Sequence, residues 1–230
     1  MNVNGLNDPK VVGKLLRQAK QLKLDVIFLQ EHHLTRLKAR DFELLAGKLG
    51  WKAAISSSGL TPKGSRGGTA VLVREDIQGL TEFHVDVDRN KGDSLKGRLS
   101  SVTLAIDGKT LNLGSVFVPV NPGERRQFIT DLVKSPAINK HSILQGDWNC
   151  VEETSVDAQY LDGSPSGDYK NIHGGLLVTA MRNLGLADPL RLLHGPRHKD
   201  HTRRGKTVWT RLDRFYAPEL NSEWRWTQVE

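Results

Sequence analysis

The sequence predicts an α/β fold, and two patterns of its apolar residues lead to this prediction. Residues 8–24 place valines and leucines at helical spacing, and residues 25–29 follow as a short apolar run. A helix followed by a strand that is apolar on both faces is typical of a layered α/β protein. Residues 81–118 contain closely spaced strand patterns, and Asp107 and Gly108 favour a tight hairpin turn between two of them. We therefore expect helices packed on sheets that contain antiparallel hairpins.

The predicted elements follow one another along the chain and have recognisable ends. Asp8 is a favourable N-cap for the first helix, and Pro9 favours a helix start. Glycine follows two of the predicted helices, as is common where a helix ends. Residues 56–68 are expected to form a polar, glycine-rich loop, and residues 152–174 a polar surface excursion. Helices are expected at residues 8–24, 37–49, 124–133 and 176–184, and strands at residues 25–29, 51–55, 69–73, 81–87, 98–106, 110–118, 143–144 and 207–216.

Composition limits the classes of protein to which the chain can belong. Its 230 residues can bury a substantial core, and we expect one domain over residues 1–230. The net charge of +7 favours an anionic partner such as nucleic acid. The single cysteine, Cys150, excludes an intramolecular disulfide, and we expect an intracellular protein. Cys150 follows an apolar strand, where we expect an inert, packed thiol. The sequence has no apolar run of membrane-spanning length, and we expect a monomer without a membrane partner.

Polar side chains follow or interrupt the predicted strands at four places. Because side chains alternate along an extended segment, Asp147 and Asn149 are expected to point to the same face. A carboxylate and a carboxamide together can hold a water molecule or a phosphate oxygen. The alternative interpretation is an Asx turn after the strand, which the same residues favour. The four places are occupied by Asn2 with Asn4, Glu31, Asp147 with Asn149, and Asp213.

Glu31 and Asp213 have carboxylates in unusual sequence contexts. Glu31 follows the apolar strand and is a plausible oxygen ligand for a hard cation, although a solvated loop acid is the simpler alternative. The adjacent His32 and His33 are expected to point apart, which disfavours a shared zinc ion. Asp213 interrupts an apolar alternation, where an unpaired carboxylate would be costly, so it is expected to have a partner.

Two basic segments are candidate contacts for a phosphate backbone. Arg66 lies in the glycine-rich loop, where the backbone can approach a ligand closely, although the loop is equally compatible with a plain hairpin connection. Residues 197–206 form the most basic segment, which is usually a solvated loop but here directly precedes a predicted strand. Its candidate DNA-binding residues are Arg203, Arg204 and Lys206.

Seven segments spread over almost the whole chain carry recognisable motifs: NVNGL (2–6), DVIFLQEHHL (25–34), RGGTAVLV (66–73), GRLSSVTL (97–104), VFVP (116–119), QGDWN (145–149) and WTRLDRFY (209–216). In this order they resemble the endonuclease/exonuclease/phosphatase superfamily. The spellings LQEHHL and RLDRFY are most similar to the endonuclease domains of non-LTR retrotransposons, which are relatives of apurinic/apyrimidinic endonucleases. The resemblance implies a four-layer α/β sandwich, in which two mostly antiparallel sheets pack face to face with helices outside. It also implies a Mg²⁺- or Mn²⁺-dependent phosphodiesterase that nicks DNA, the step that primes reverse transcription of such elements.

The resemblance also implies roles for the polar residues at the strand ends. Glu31 would bind the metal, and Asn2 and Asn4 would lie near the metal and the scissile phosphate. Asp147 would orient or activate the attacking water, and Asn149 would hold a phosphate oxygen. These roles suit phosphodiester hydrolysis, which needs stabilisation of charge on the phosphoryl oxygens and a positioned nucleophile. Asp213 would orient a histidine.

The sequence departs from the family pattern in two ways. Phe117 stands where the family usually has tyrosine, and no Ser-Asp-His signature occurs between Ala217 and Glu230. The usual catalytic histidine and a metal-side aspartate are therefore missing, and we do not assign that role to the histidines in segment 194–201. We expect a family member truncated at both ends, with weakened or absent activity. The alternatives are a non-catalytic nucleic-acid-binding remnant and, disfavoured by the basic charge and the motif spellings, an enzyme for a phosphoinositide or a nucleotide-derived second messenger.

Overall fold

The structure is a computed structural model that describes residues 1–61, 64–85, 93–164 and 173–219. It divides into two compact units, Met1–Phe117 and Val118–Glu230. The prediction of a single domain stays a prediction. None of the described helices is long and apolar enough to cross a membrane.

The first unit contains two helices, eight strands and a short 3₁₀ turn within its described residues. Asp8 caps α1 by accepting a hydrogen bond from the Lys10 backbone at 2.8 Å, and Gly50 follows α2 with a φ of 79°. Both helix ends therefore follow the sequence prediction. The elements are α1 (Pro9–Gln21), β1 (Val26–Gln30), α2 (Arg36–Lys48), β2 (Trp51–Ser56), β3 (Gly59–Thr61), β4 (Gly64–Arg66), β5 (Thr69–Arg74), β6 (Leu80–Val85), the 3₁₀ turn Asp93–Leu95, β7 (Leu99–Ile106) and β8 (Lys109–Phe117).

The strands of the first unit form antiparallel pairs. Strand β5 pairs with β1 on one side and with β2 on the other, β7 pairs with β6 and β8, and β3 pairs with β4. The turn between β7 and β8 contains Asp107 and Gly108, both with positive φ, which is the hairpin that the sequence predicts. The predicted loop at 56–68 is itself a short hairpin. Of the predicted strand at 81–87, residues 86 and 87 lie outside the described residues.

The first few residues of the chain pair with the end of β1 and position the polar residues there. Asn2 forms an isolated parallel bridge with Gln30, and the backbone N–H groups of Val3 and Gly5 donate to the carbonyls of Gln30 and Glu31 at 2.9 and 2.8 Å. These bonds bring the start of the chain alongside Glu31. Beneath them, a core of buried side chains from α1, α2 and the β1–β5–β2 sheet supports the strand ends; its larger members are Leu16, Leu29, Phe42, Trp51 and Leu72.

The second unit contains four helices and six strands within its described residues. Asn121 caps α3 by accepting hydrogen bonds from the backbones of Gly123 and Glu124, and α5 is followed by Gly185, whose φ is 70°. The elements are α3 (Pro122–Lys134), β9 (Ser142–Asp147), α4 (Thr154–Asp157), β10 (Ala158–Tyr160), α5 (Gly174–Asn183), β11 (Leu186–Ala187), α6 (Pro189–His194), β12 (Arg203–Arg204), β13 (Val208–Thr210) and β14 (Asp213–Pro218).

The prediction of a single strand at 207–216 is wrong, because the chain forms two strands there. Strand β13 pairs with β10 and β12, whereas β14 pairs with β9 and β11. Arg211 and Leu212 separate the two strands, and both are buried. Asp213 is consequently the first residue of β14 and is only half-buried, so it does not interrupt a buried strand as the sequence predicted.

The prediction of a surface excursion at 152–174 is also wrong in part, because Asp157 is a buried anion. Its carboxylate pairs with Arg191 and lies 4.0 Å from Arg211 and 3.9 Å from Arg214. A buried charge is stable only when partners of opposite sign surround it. The acidic groups around Arg214 raise its pKa, although burial alone would lower it. This network links α4 to α6 and to the residues at the start of β14.

Candidate active site

Glu31 and Asn2 are in direct contact in the first unit. The Asn2 side-chain amide donates to Oε1 of Glu31 at 2.6 Å, and the Asn2 side-chain oxygen accepts a hydrogen bond from the Asn4 backbone at 3.2 Å. His33 places its Nε2 3.4 Å from the other Glu31 oxygen. The structure therefore brings together the three polar residues that the sequence singled out in this unit, and it adds His33 to them.

The backbone around Glu31 has a conformation that few residues adopt. Glu31, His33 and Asn4 have φ values of 55°, 58° and 45°, in the left-handed region. Asparagine tolerates this region, but glutamate has no side-chain interaction that favours it. Backbone strain of this kind persists where the surrounding structure enforces it and occurs often at functional sites. The unusual backbone at Glu31 is thus independent support for a functional role.

His32 fixes this strained segment to the start of β5. Its Nδ1 accepts a hydrogen bond from the Leu34 backbone at 2.9 Å, so the proton is on Nε2, which donates to the Thr69 carbonyl at 3.1 Å. Burial lowers the pKa of His32 to about 4, and the ring is neutral at neutral pH. The ring packs against Gly68, where a Cβ would lie 2.4 Å from Cε1. Both ring nitrogens of His32 are engaged by backbone groups, so His32 is a structural residue and has no free nitrogen for a metal.

The donor groups around Glu31 fit a hard cation better than zinc. Within the described part of the chain, no three His, Cys, Asp or Glu residues are arranged to hold a metal ion. A closed zinc site needs such a set, whereas Mg²⁺ is commonly held by one or two carboxylates, with water and phosphate oxygens completing its shell. The Glu31 carboxylate, held by Asn2 and with Asn4 beside it, provides a group of this kind.

Asp147 and Asn149 lie at the end of β9 in the second unit. Asp147 Oδ1 accepts a hydrogen bond from the Asn149 backbone at 3.0 Å, which is the Asx turn of the alternative interpretation. Asn149 has a φ of 48°, and its side-chain N–H donates to the Val118 carbonyl at 2.8 Å. An amide nitrogen carries two hydrogens, so this bond fixes the amide and leaves its second N–H as a donor. The turn thus orients both side chains.

Asp213 is directly opposite Asp147 across the β9–β14 pair. Opposite residues of an antiparallel pair share a face, with Cβ atoms about 5 Å apart, and like charges there are destabilising. The Thr202 hydroxyl accepts hydrogen bonds from the backbones of Leu212 and Asp213 at 3.1 and 3.0 Å, which fixes the start of β14. The structure therefore brings Asp147, Asn149 and Asp213 together.

Asp213 also lines a pocket of about 680 Å³ in the second unit. Apolar side chains such as Leu193 and Phe215 form much of its wall, and His194 and His198 line it with their rings stacked at 4.5 Å. These two histidines were not predicted to lie near Asp213. Their exclusion from catalysis stays a prediction.

The predicted DNA-binding residues of segment 197–206 belong to one hairpin. Arg203 and Arg204 form β12, and Arg204 stacks on Trp209 with its guanidinium 5.0 Å from the ring centroid. Lys206 is exposed in the turn, and Gly205 is required there because a Cβ would meet the Val208 carbonyl at 2.6 Å. Arg66 is the last residue of β4, and its side chain lies outside the described residues.

Cys150 and Phe117 are both buried, and Cys150 agrees with its predicted role. Burial raises the pKa of the Cys150 thiol, which makes it a poor nucleophile. Phe117 is 6% exposed, and the Arg98 guanidinium lies 5.8 Å from its ring centroid. Sequence reasoning missed His32, Gly68 and Thr202. Their roles depend on partners distant in sequence, and only the double glycine at 67–68 was a visible signal.

A profile of the Endonuclease/Exonuclease/phosphatase family matches residues 1–228. The chain therefore belongs to the Endonuclease/Exonuclease/phosphatase family.

Solved structures share this fold at low sequence identity. An AP endonuclease from Archaeoglobus fulgidus is 18% identical with a TM-score of 0.64, and the match covers 93% of this chain and 84% of that one. The 3′ phosphatase NExo from Neisseria, bound to a product DNA hairpin, is 17% identical with a TM-score of 0.65 and the same coverage. The endonuclease domain of TRAS1, a telomere-specific non-LTR retrotransposon, is 16% identical with a TM-score of 0.58, covering 95% of this chain and 83% of that domain. These similarities confirm the predicted α/β fold class.

Proposed function

We propose that this chain is a divalent-metal-dependent phosphodiesterase that nicks DNA by attack of water on a backbone phosphate. The observation that carries the proposal is the 2.6 Å hydrogen bond between Asn2 and Glu31, two predicted site residues far apart in sequence. The strained backbone of Glu31 supports the same assignment. Family membership supports phosphoester chemistry in general, and the choice of DNA and of a metal is part of the proposal.

Glu31 would hold Mg²⁺ or Mn²⁺, with Asn4 close to it. When bound, the cation would neutralise negative charge on the phosphate oxygens. Asn2 holds the Glu31 carboxylate in one orientation through its amide, so that little rearrangement is needed when the cation arrives. Pre-organisation of this kind is what makes a charged site effective.

In the second unit, Asp147 would orient the attacking water and accept its proton. The hydrogen bond from the Asn149 backbone fixes one Asp147 oxygen, and the bond to the Val118 carbonyl fixes the Asn149 amide. The second N–H of Asn149 would donate to a phosphate oxygen and stabilise the charge that develops there. Asp213, directly opposite Asp147, would add negative charge beside it and would orient a histidine.

DNA is the proposed substrate because of the basic hairpin and the relatives. Arg203, Arg204 and Lys206 are exposed on one hairpin, and guanidinium groups are the commonest ligands for phosphate oxygens. The Neisseria relative is bound to DNA, and the TRAS1 relative is a retrotransposon endonuclease domain. For this chain we propose a nuclear location and a retroelement origin on the same grounds.

A plasmid-nicking assay tests the proposal. Supercoiled plasmid is incubated with the protein and Mg²⁺ or Mn²⁺, and open-circle product is measured for the native chain, Glu31→Ala and Asp147→Ala. The controls are Glu43→Ala and Asp41→Ala, which remove exposed acids from α2. We expect metal-dependent nicking that both site variants lose and both controls keep. Nicking that survives Glu31→Ala and Asp147→Ala would overturn the assignment.

The same assay separates the proposal from the non-catalytic alternative. Salt-sensitive DNA binding without nicking by the native chain would favour a nucleic-acid-binding remnant. We further propose that activity is weaker than in relatives that carry a Ser-Asp-His segment. Rescue of nicking by an appended segment of that kind would support this, and unchanged activity would contradict it.

A further inference from the structure

The charged residues on the exposed face of helix α1 are all positive. The helix carries four cations and no acidic residue between Pro9 and Gln21, and all four are exposed. Lys10, Lys14 and Arg17 are spaced four and three residues apart, which places them in one row along the helix. With a rise of about 1.5 Å per residue, the row is about 10 Å long. We call these three residues the α1 basic face.

The cations of the α1 basic face are not neutralised by the rest of the unit. None of the three forms an ion pair with any residue in the described part of the chain. Other cations of the same unit do pair: the partly buried Arg74 contacts Asp25 and Asp76, and the exposed Lys96 contacts Asp93. The Arg17 guanidinium lies back over Gly13, 3.1 Å from where a Cβ would stand, and therefore toward the other two cations.

The arrangement does not serve the stability of the helix. Like charges four or three residues apart repel each other, as Lys10 and Lys14 do, and Lys14 and Arg17. Lys10 is also in the first turn, where the helix dipole favours acidic residues. Since the local effect is unfavourable, the charges indicate an interaction with an external anion.

The buried side chains of α1 indicate which kind of anion the α1 basic face can bind. Val12, Leu16 and Ala19 are buried in the core of the first unit. The exposed apolar residues Val11 and Leu22 are far apart along the helix, and Leu15 between them packs against the core, so the helix has no continuous apolar face with which to enter a lipid surface. Each strand of double-stranded DNA carries one negative charge per about 3.4 Å of the helix axis, so a row of about 10 Å faces about three phosphate charges of one strand. A linear, regularly charged polyanion therefore matches a row of cations.

We propose that the α1 basic face is a second DNA-contacting surface, which binds the phosphate backbone of duplex DNA independently of sequence. It is additional to the hairpin of β12 and β13, and it rests on the proposed function only in taking DNA as the substrate. Its contribution is electrostatic and therefore declines steeply as the salt concentration rises.

Binding of a fluorescent DNA duplex in EDTA over a range of salt concentrations tests this proposal. The triple variant Lys10→Gln, Lys14→Gln and Arg17→Gln is compared with a matched triple variant of α2, Arg36→Gln, Arg40→Gln and Lys48→Gln, which removes the same charge from exposed positions. We expect the slope of log affinity against log salt to fall by about 2.7 in the α1 variant, from three contacts at about 0.9 each. The α2 variant is expected to keep the native slope, as is an α1 variant with Lys10→Arg, Lys14→Arg and Arg17→Lys.

Equal slopes for the α1 and α2 variants would overturn the proposal, because net charge alone would then explain the binding. Loss of binding to vesicles rich in phosphatidylserine, with DNA binding unchanged, would overturn it in favour of a membrane surface. The assay contains no metal and needs no cleavage, so its result is separate from that of the nicking assay. Circular dichroism of each variant establishes that the helix is intact.

Discussion

The two polar clusters of this chain are held in place in different ways. In the first unit, Glu31 lies after the end of β1 in a strained conformation, and its orientation depends on its contact with Asn2. It also depends on the neighbouring His32, whose ring bonds to the Thr69 carbonyl and packs against Gly68; we call these contacts the His32 clamp. In the second unit, Asp147 and Asp213 lie on paired strands, and backbone register fixes their spacing. A clamp of side chains can be broken by a single substitution, whereas a register is shared by every residue of the pair.

This difference implies different sensitivities to mutation. The position of Glu31 depends on a buried imidazole and on a glycine that makes room for it, so substitutions outside the polar cluster can displace the carboxylate. The positions of Asp147 and Asp213 depend on β9 and β14, so only the acids themselves or the residues that fix the strand ends are sensitive. The predictions below compare matched substitutions in the two units.

The largest expected effects on nicking are those of Glu31→Gln and Asp147→Asn, which distinguish metal binding from water activation. We expect Glu31→Gln to raise the Mg²⁺ concentration needed for half-maximal nicking at least tenfold, because it removes the ligand charge. We expect Asp147→Asn to lower the rate at saturating Mg²⁺ by about 10²- to 10⁴-fold, the usual contribution of a catalytic acid or base. Metal titrations of the nicking rate measure both, with Glu43→Gln as the control. A Glu31→Gln enzyme with the native metal requirement would contradict the assignment of Glu31.

Gly68→Ala is expected to be the most destabilising small change in the clamp of the first unit. A Cβ at Gly68 would lie 2.4 Å from His32, and the φ of 92° is strained for alanine. Gly108→Ala is the control, because Gly108 has a φ of 75° and nothing within 4 Å of the added Cβ. We expect urea denaturation to show a loss of about 1 to 2 kcal/mol for Gly108→Ala and about 3 kcal/mol or more for Gly68→Ala. Equal losses would mean that the His32 contact does not constrain Gly68.

His32 should make the stability of the protein depend on pH below neutrality. Because burial lowers its pKa to about 4 from 6.5, the unfolded chain binds the proton more readily than the folded protein does. Stability from this group is complete above pH 6.5 and is lost as the pH falls toward 4. Between pH 7.5 and 5, we expect a loss of about 2 kcal/mol that His32→Gln does not show. Urea denaturation at the two pH values measures the difference, and an identical pH dependence in the variant would contradict it.

The parts of the fold that the sequence predicted correctly are those that local chemistry determines. Asp8 and Pro9 start α1, and Asp107 and Gly108 form the hairpin between β7 and β8, because these residues favour such conformations wherever they occur. The polar residues at strand ends were found for a similar reason. The pattern of apolar residues locates the strand ends, and polar residues beside them are visible without a structure.

The parts that were missed depend on partners distant in the sequence. The predicted strand at 207–216 is interrupted at Arg211, which is buried beside Asp157 and Asp188, and Arg214 in β14 is buried beside Asp157 as well. Neither burial was predicted, because a cation is ordinarily expected at the surface. The left-handed backbone of Glu31 could not be predicted either, because glutamate does not favour it. In both cases tertiary contacts override the local preference.

Of the substitutions proposed, Thr202→Val in the second unit is expected to have the smallest effect on stability, and the effect is specific to the start of β14. The Thr202 hydroxyl accepts hydrogen bonds from the Leu212 and Asp213 backbones, so Thr202→Val leaves two donors at the start of β14 without that acceptor. Because the site is open to water, which can replace the hydroxyl, we expect a loss of only about 1 kcal/mol in urea denaturation. The matched change Thr207→Val, at an exposed position, is expected to have no effect. If both variants lose the same stability, backbone pairing alone positions Asp213 and the threonine is dispensable.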